Sequence, residues 1–421
     1  AQLGSTAISV FPALAQQADR LYRTDGSLGL SRIQRFAYDD YGNLTRLTDI
    51  GGGQPDELVE LRFSYHYLPD TYQVAIRDSI TVVDATGVAR QRYSEINAAG
   101  NAIRIHYQID GSSRATYDYT YDQYGNTTEI MRPPNAEGQR LTYTYSYDEE
   151  LHTYPIRETD SYGQSWTRTY DPRYGALLSE EDFYQRLSTF ELDERGRLRE
   201  VLLPGERQNG EAYSFRFDYQ LGTGARLHEE RFDPEHGEAL EKYIFYKSDG
   251  VAAQVQEMAA IADNANTAPR LAWTVSGKQV ADAFNRFIEQ YYPSTIEAAN
   301  GGTYSASPDA VVPSEYEFDE LDRPTSIRLP DGSTFQIDYD FGETPEGINC
   351  RMTKLTDPIG GEHHYYTDSR ERLWAEAHSG PEGLIWTQYQ YNAYGERTRV
   401  IDAAGNSTSF KLDMLGRLTE L

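Results

Sequence analysis

Four sets of residues in this 421-residue chain have types that could carry chemistry. The first is the carboxylates, 66 Asp and Glu, from which an acid and base pair could be drawn. Such a pair needs two carboxyls held in unlike environments at a fixed separation, and with this many acids the spacing alone singles out none. The second is His363-His364. On a strand, adjacent side chains project to opposite faces, so the two cannot readily share an ion. There is no His-Glu-x-x-His, no cysteine pair and no EF-hand spacing. The third is Cys350, the sole cysteine, which could act as a nucleophile only with a base such as His363 or His364. Nothing around it has a cysteine-enzyme signature, and it reads as a buried or half-buried thiol that forms no disulfide within the chain. The fourth is Gly222-Thr223-Gly224, a fragment of a glycine-rich loop that a turn explains; a P-loop and a Gly-x-Ser-x-Gly elbow are absent. The sequence therefore assigns no catalytic residue, no cofactor and no metal.

What does recur at fixed spacing is a turn. Tyr38-Asp39-Asp40-Tyr41-Gly42-Asn43 returns as Tyr121-Asp122-Gln123-Tyr124-Gly125-Asn126, and as Tyr170-Asp171-Pro172-Arg173-Tyr174-Gly175 with one residue inserted. Leu192-Asp193 with Gly196, Tyr391-Asn392 with Gly395, and Leu412-Asp413 with Gly416 continue it, and Tyr147-Asp148 supplies another start. Asp bonds the backbone amides ahead of it, and Gly three residues later takes the positive φ that closes the turn. At Asp282 and Asp319 that slot holds Asn285 and Asp322, the residue types that best tolerate the left-handed region. Two turns fit less well and are expected to be altered: Asp368 has Glu371 in the slot, and Asp249 has Ala252.

Before each turn run alternating residues such as Tyr119-Thr120-Tyr121 and Tyr389-Gln390-Tyr391, the period of a strand with one packed face. Second turns at Asp331-Gly332, Asp357 to Gly360 and Asp402 to Gly405 lie between the units. The pattern predicts an all-β chain of consecutive antiparallel hairpins. Val251 to Ile261 is rich in helix formers, but the hairpin pattern on either side favours a strand. Loops are expected at Gly51 to Glu57, Asp263 to Pro269 and Ala298 to Pro313. With no long linker, one continuous architecture is expected: an entry segment at 1–35, then repeats at 36–240, divergent repeats at 241–315 and repeats again at 316–421.

Composition agrees. Tyr is 34, Phe 15 and Trp 4, and a tyrosine can lie on a sheet while its hydroxyl reaches water or a carbonyl. Only 38% of residues are hydrophobic, so a large sheet with two accessible faces is favoured over a thick dry core. The 13% aromatic content excludes bulk disorder. A net charge of −27 argues against a nucleic-acid partner, since a phosphate backbone needs a basic face. No run reaches the roughly 18 apolar residues that a membrane helix requires, so no membrane insertion by this segment is expected. Arg is 34 against 5 Lys, which suits guanidinium groups stacked on tyrosine or paired with acids.

The repeated Tyr-Asp turn, its Gly and its Arg-Leu or Asn-Leu exit resemble the YD repeats of the Rhs family over about residues 30–421. The order of segments, with Gln290-Tyr291-Tyr292-Pro293 and Leu321-Asp322-Arg323-Pro324 followed by Leu329-Pro330-Asp331-Gly332, is similar to the YD region of bacterial insecticidal toxin complexes that follows SpvB-like modules. The resemblance implies a curved, spiralling sheet, part of a hollow shell that encloses and shields a C-terminal toxic polypeptide. It also implies other shell or toxin-complex modules as partners, and a bacterial protein that is secreted or at the cell surface. Animal teneurins carry a related shell, which keeps adhesion or carbohydrate binding as an alternative, with a β-rich glycosidase third. A start at Ala1 and an end at Leu421 within a repeat lead to the expectation of a piece of a longer polypeptide.

Overall fold

The computed structural model describes residues 12–52, 57–85, 87, 89–234, 237–262, 270–296, 301–304 and 311–421. Strands make up 58% of the structure and helix 2%, so the all-β expectation holds. Among the described residues the helices are one short α-helix, Pro204–Asn209, and one 3-10 turn, Pro69–Thr71. The expected loop at 263–269 lies outside the described residues, as do 53–56 of the Gly51 loop and 298–300 and 305–310 of the Ala298 loop.

The chain divides into two units, residues 1–142 with 337–421, and residues 143–336. In the first, nine strands from Gln16–Tyr22 to Thr127–Met131 each pair antiparallel with the next in sequence. A second run of the same kind goes from Asn349–Thr356 to Ser407–Ser409. A last hairpin joins Lys411–Leu412 to Leu418–Glu420. Its buried cluster is small: Ile348, Cys350, Tyr366, Trp374 and Ala375.

The second unit repeats the scheme from Tyr143 to Arg270–Ser276, again strand against next strand. Ala252–Ile261 is a strand, paired on one side with Glu238–Tyr246 and on the other with Arg270–Ser276. Two-sided pairing overrides the helix propensity of its Ala, Gln and Glu. Gln254 and Gln256 are fully buried on it, and Gln256 satisfies its amide on Gly302 N–H and the Thr303 carbonyl, each at 2.8 Å.

Few residues are fully buried. Thr127–Met131 and Leu177–Glu181 are half-buried at every position, on both faces of the sheet. This is the wet-faced sheet that the tyrosine-rich, polar composition calls for.

Two expectations about altered turns are corrected. At Asp368 the turn keeps the common geometry, because Glu371 itself takes φ +63° and Asp368 still accepts from the Arg370 and Arg372 amides at 2.8 and 3.0 Å. Near Asp249 the frame is displaced by two residues. Lys247 opens the turn, and Gly250, at φ +83°, donates back to the Lys247 carbonyl at 3.0 Å. Ala252 is already in the outgoing strand.

Candidate functional site: the turn array and its seam

Each repeat turn is a small hydrogen-bonded unit. At Asp122, Oδ1 accepts the Tyr124 and Asn126 amides at 2.9 Å each, and Oδ2 accepts the Asn126 side-chain amide at 2.9 Å. Gly125, at φ +90°, donates to the Asp122 carbonyl at 3.2 Å. The register slips by one residue at Tyr121, as in a type I turn followed by a glycine bulge. The same pattern recurs at Asp39 with Gly42, Asp193 with Gly196, Asp282 with Asn285, Asp319 with Asp322, and Asp413 with Gly416. Asn392 replaces the carboxylate before Gly395. The extra residue after Asp171 widens the turn by one position, which Gly175 N–H closes on the Asp171 carbonyl at 2.8 Å.

Three features of these turns escape sequence reasoning. The exit residue is a clamp: Arg197, Arg286, Arg323 and Arg417 each return Nε to the Oδ2 of their own turn aspartate at 2.7–2.8 Å. Turns of the same build also stand at Asp160, with Gly163, and at Asp182, where Gln185 takes φ +63°. The tyrosine before a turn is a latch. Tyr65, Tyr121, Tyr219 and Tyr391 donate their hydroxyls, at 2.7–2.9 Å, to the carbonyls of Leu44, Ala102, Leu198 and Leu373. Each acceptor is the residue just past the preceding turn of the series. The regular gap of 18 to 21 residues between the two is the signal that could have revealed it. Tyr38 makes a like bond to Leu14 at 3.2 Å, whereas Tyr170 stacks on Tyr154.

The turn carboxyls are held below their ordinary range. At Asp171 and Asp319 the leading cause is the side-chain bond from Arg173 or Arg323. At Asp39, Asp122, Asp193, Asp282 and Asp413, burial acts upward and the hydrogen bonds of the turn outweigh it. Asp148, which accepts four backbone amides, is brought down to about 2, with the Tyr154 amide first among them.

In the first unit, turns from the two runs of strands meet. Arg370, two residues past Asp368, reaches Asp49 at 3.2 Å and Glu57 at 2.6 Å. Arg372, the exit clamp of that turn, binds Glu57 at 2.7 Å and Asp368 at 2.8 Å. Trp374 Nε1 donates to Asp368 Oδ2 at 2.7 Å. One turn on, Arg90 grips Glu396 through two bonds of 2.9 and 3.0 Å and lies over the Tyr394 ring at 4.2 Å. One further on, Met414 N–H donates to the Ile109 carbonyl at 3.0 Å. Burial pulls Arg372 downward, yet Glu57 and Asp368 hold it above its usual value.

The residues first weighed for chemistry stand elsewhere. Cys350 is fully buried, and its thiol is pushed up to about 12 by burial and then by Asp368, so it stays protonated. His364 is buried against Glu362 at 3.1 Å while His363 is half-exposed, in keeping with opposite faces. Gly222 and Gly224 lie in a hairpin turn with positive φ. Among the described residues, no three His, Cys, Asp or Glu side chains are placed to hold a metal. A groove of about 330 Å³ in the second unit is lined by Arg199, Arg216, His228 and Glu230. Its basic side chains face carboxylates, Arg216 on Glu200 at 2.8 Å and the His228 ring nitrogen on Glu241 at 3.1 Å.

No family model matches the chain, and no curated protein does. Solved structures do. The crystal structures of TcdB2-TccC3 with Cdc42 and of TcdB2-TccC3 without its hypervariable C-terminal region superpose with TM-scores of 0.64 and 0.65 at 11% identity. The Photorhabdus luminescens Tc holotoxin pore carrying a TccC3 aspartate variant gives 0.65, also at 11% identity. The chain shares its fold with part of the TcdB2-TccC3 structures. The match covers 96% of this chain and 31–32% of each of theirs, so the chain spans about a third of the solved chains that it matches. Among the described residues, no helix is long and apolar enough to cross a membrane.

Proposed function

We propose that this chain is part of the wall of a secreted bacterial toxin-complex shell that encloses and shields a C-terminal toxic polypeptide, and that it does no catalysis of its own. The observation that carries this reading is the superposition over 96% of the chain on TcdB2-TccC3 toxin structures. The physics of the repeat supports it. Polar groups recur at like positions of like turns and are used up in forming them, whereas an enzyme needs unlike groups gathered at one point. The 36–421 repeats form the wall in this reading, and the partners are the enclosed polypeptide and neighbouring shell modules.

The test uses the full-length polypeptide that carries this chain. Its cargo should resist protease while the shell is intact and become digestible when the Asp368 junction is broken by Arg372→Ala. A cargo digested equally fast in both forms would refute the enclosure. A hydrolytic activity lost on changing one acid here, with the cargo still protected, would place chemistry in the wall.

A further inference from the structure

In the second unit, residues 301–304 belong to no strand and lie on one face of the strands Arg226–Asp233, Glu238–Tyr246, Ala252–Ile261 and Arg270–Ser276. The register sets Phe245 opposite Arg226 and Gln254, and Gln256 opposite Tyr243 and Val275. Alternation then brings Arg226, Tyr243, Phe245, Gln256 and Trp273 to the same face. Gln256 spends its whole amide there. Its Oε1 accepts the Gly302 N–H and its Nε2 donates to the Thr303 carbonyl, each at 2.8 Å, and Nε2 donates again to Gln254 Oε1 at 2.9 Å. Arg226 donates to the Gly302 carbonyl. Three backbone groups of Gly302 and Thr303 are thus bonded by side chains, where a strand of the sheet would be held by a backbone ladder.

The rings of this floor dictate what can lie on it. A Cβ at Gly301 would stand 2.0–2.5 Å from three atoms of the Trp273 indole, and one at Gly302 would stand 3.0 Å from the Tyr243 ring. Gly302 also takes φ +76°, a conformation that favours glycine. Neither ring is free to retreat. Trp273 is buried, and Tyr243 donates its hydroxyl to Glu241 at 2.9 Å while its ring stacks on His228 at 4.2 Å. Beyond the glycines, Thr303 is exposed, and the Tyr304 ring meets the buried Phe245 ring edge to face at 5.7 Å. Lifting the segment would strand the buried Gln256 amide, so the floor favours being filled.

We propose that this face is a peptide-binding site for a Gly-Gly-x-aromatic segment, filled in this chain by its own residues 301–304 and able to take the same segment from another polypeptide. The inference goes beyond the wall reading and does not rest on it. Backbone groups held by fixed side chains give affinity, and the surfaces that meet the ligand's own side chains give specificity, as in peptide recognition generally. Here Trp273 and Tyr243 select the two glycines, the third position is open, and Phe245 selects an aromatic ring at the fourth. Tethering gives the chain's own segment an effective concentration on the order of millimolar, so a free peptide competes poorly until that segment is displaced.

The test displaces the chain's own segment with Gly301→Leu, which leaves every floor residue in place, and offers the blocked peptide acetyl-Gly-Gly-Thr-Tyr-amide. Binding is read by fluorine NMR of the whole chain labelled with fluorotryptophan, the Trp273 signal being the one missing from Trp273→Phe. The expected results are a shifted Trp273 signal in Gly301→Leu, its saturable return toward the original position as peptide is added, and binding to the unaltered chain at least tenfold weaker. Acetyl-Ala-Gly-Thr-Tyr-amide should bind Gly301→Leu at least tenfold more weakly than the parent peptide. An unmoved Trp273 signal in Gly301→Leu, no binding to that variant, or equal binding by the alanine peptide would overturn the proposal. A measurement on the unaltered chain serves if the variant does not fold: the Gly302 amide, donated to buried Gln256, should exchange with solvent at least a hundredfold more slowly than in urea. Unprotected exchange there would overturn the site as well.

Discussion

The ring of Tyr174, from the Asp171 turn, lies directly across Gly196 of the next turn in its series, so that a Cβ at Gly196 would strike the ring itself. The Tyr174 hydroxyl also donates to the Glu194 carbonyl at 2.9 Å. One turn thus roofs another, and glycine at 196 answers to two demands, a positive φ of 78° and an empty side-chain position. Gly125 answers only to the first, since nothing lies within 4 Å of its missing Cβ.

The two sites should therefore separate under the same substitution. Asn accepts the left-handed region, so Gly125→Asn should cost under about 1 kcal/mol, while Gly196→Asn must displace Tyr174 and should cost about 2 kcal/mol or more. Gly125→Val should cost on the order of 1 to 3 kcal/mol from backbone strain alone. Urea denaturation of the three variants measures this. Equal losses at 125 and 196 for Asn would show that the Tyr174 roof yields freely.

The tyrosine latches give a second prediction. Removing only the hydroxyl in Tyr121→Phe or Tyr391→Phe leaves the ring in place and strands the carbonyl of Ala102 or Leu373. Each change should cost about 1 kcal/mol, the net value of one such hydrogen bond. Tyr170→Phe should cost less, because Tyr170 is held by stacking on Tyr154 at 5.1 Å. Denaturant midpoints compared across the three variants would decide it.

Acid should unfold the protein in a definite window. The turn carboxyls are depressed when folded, so their contribution is fully present above the unfolded value near pH 4 and is lost as pH falls through the folded values. For Asp148 and Asp110 the folded value is about 2. Thermal melting should hold steady from neutrality to about pH 4 and fall steeply from there toward pH 2. Asp148→Asn should flatten part of that fall while lowering the plateau. A melting temperature that does not change between pH 4 and pH 2 would contradict the assignment.

How much of this was legible follows from what sets each feature. The turns were, because a turn is local: Asp, the positive-φ residue and the exit residue lie within five positions, and their types state the backbone they need. The frame error at Asp249 has the same cause. Asp249-Gly250 fits two frames locally, and pairing with Glu238–Tyr246 and Arg270–Ser276 chooses between them. The latches were half legible, since Tyr recurs visibly but its acceptor sits a repeat away. The junction was not legible at all. Arg370 and Glu57 are 313 residues apart, and nothing in either segment alone names the other. Asp160 and Asp182 carry the same local signals and were legible in the same way, but were passed over.

Cys350 supplies a fourth prediction. A fully buried thiol pushed up to about 12 is neither accessible nor ionised near neutral pH. An aromatic disulfide reagent should label the native chain at least a hundredfold more slowly than the chain in urea. Cys350→Ser should be destabilising, because it puts a hydroxyl among Ile348, Tyr366 and Trp374. Fast labelling of the native state would mean that this cluster opens readily.

The last prediction concerns the Asp368 junction, where the two arginines and their carboxylates differ in what they leave behind. Side chains of Arg370 and Arg372 are only 11% and 10% exposed, and Glu57 is 19% exposed. Deleting Arg372 leaves Asp368, whose side chain is wholly buried, with the Trp374 indole as its remaining side-chain donor, and leaves Glu57 with Arg370. Breaking a buried pair from one side costs about 3 to 5 kcal/mol, because the surviving charge keeps its desolvation penalty. Arg372→Ala should fall near that range. Glu57→Gln removes a charge from a site with two cations but keeps an acceptor for them, and should cost less, about 1 to 2 kcal/mol. Arg372→Ala/Asp368→Asn should recover part of the single loss, since the stranded carboxylate is gone. Added salt should change little, because screening acts weakly on buried pairs. A strong salt dependence, or a double variant worse than the sum of its parts, would mean that the junction is a solvated surface contact and does not hold the two hairpin runs of the first unit together.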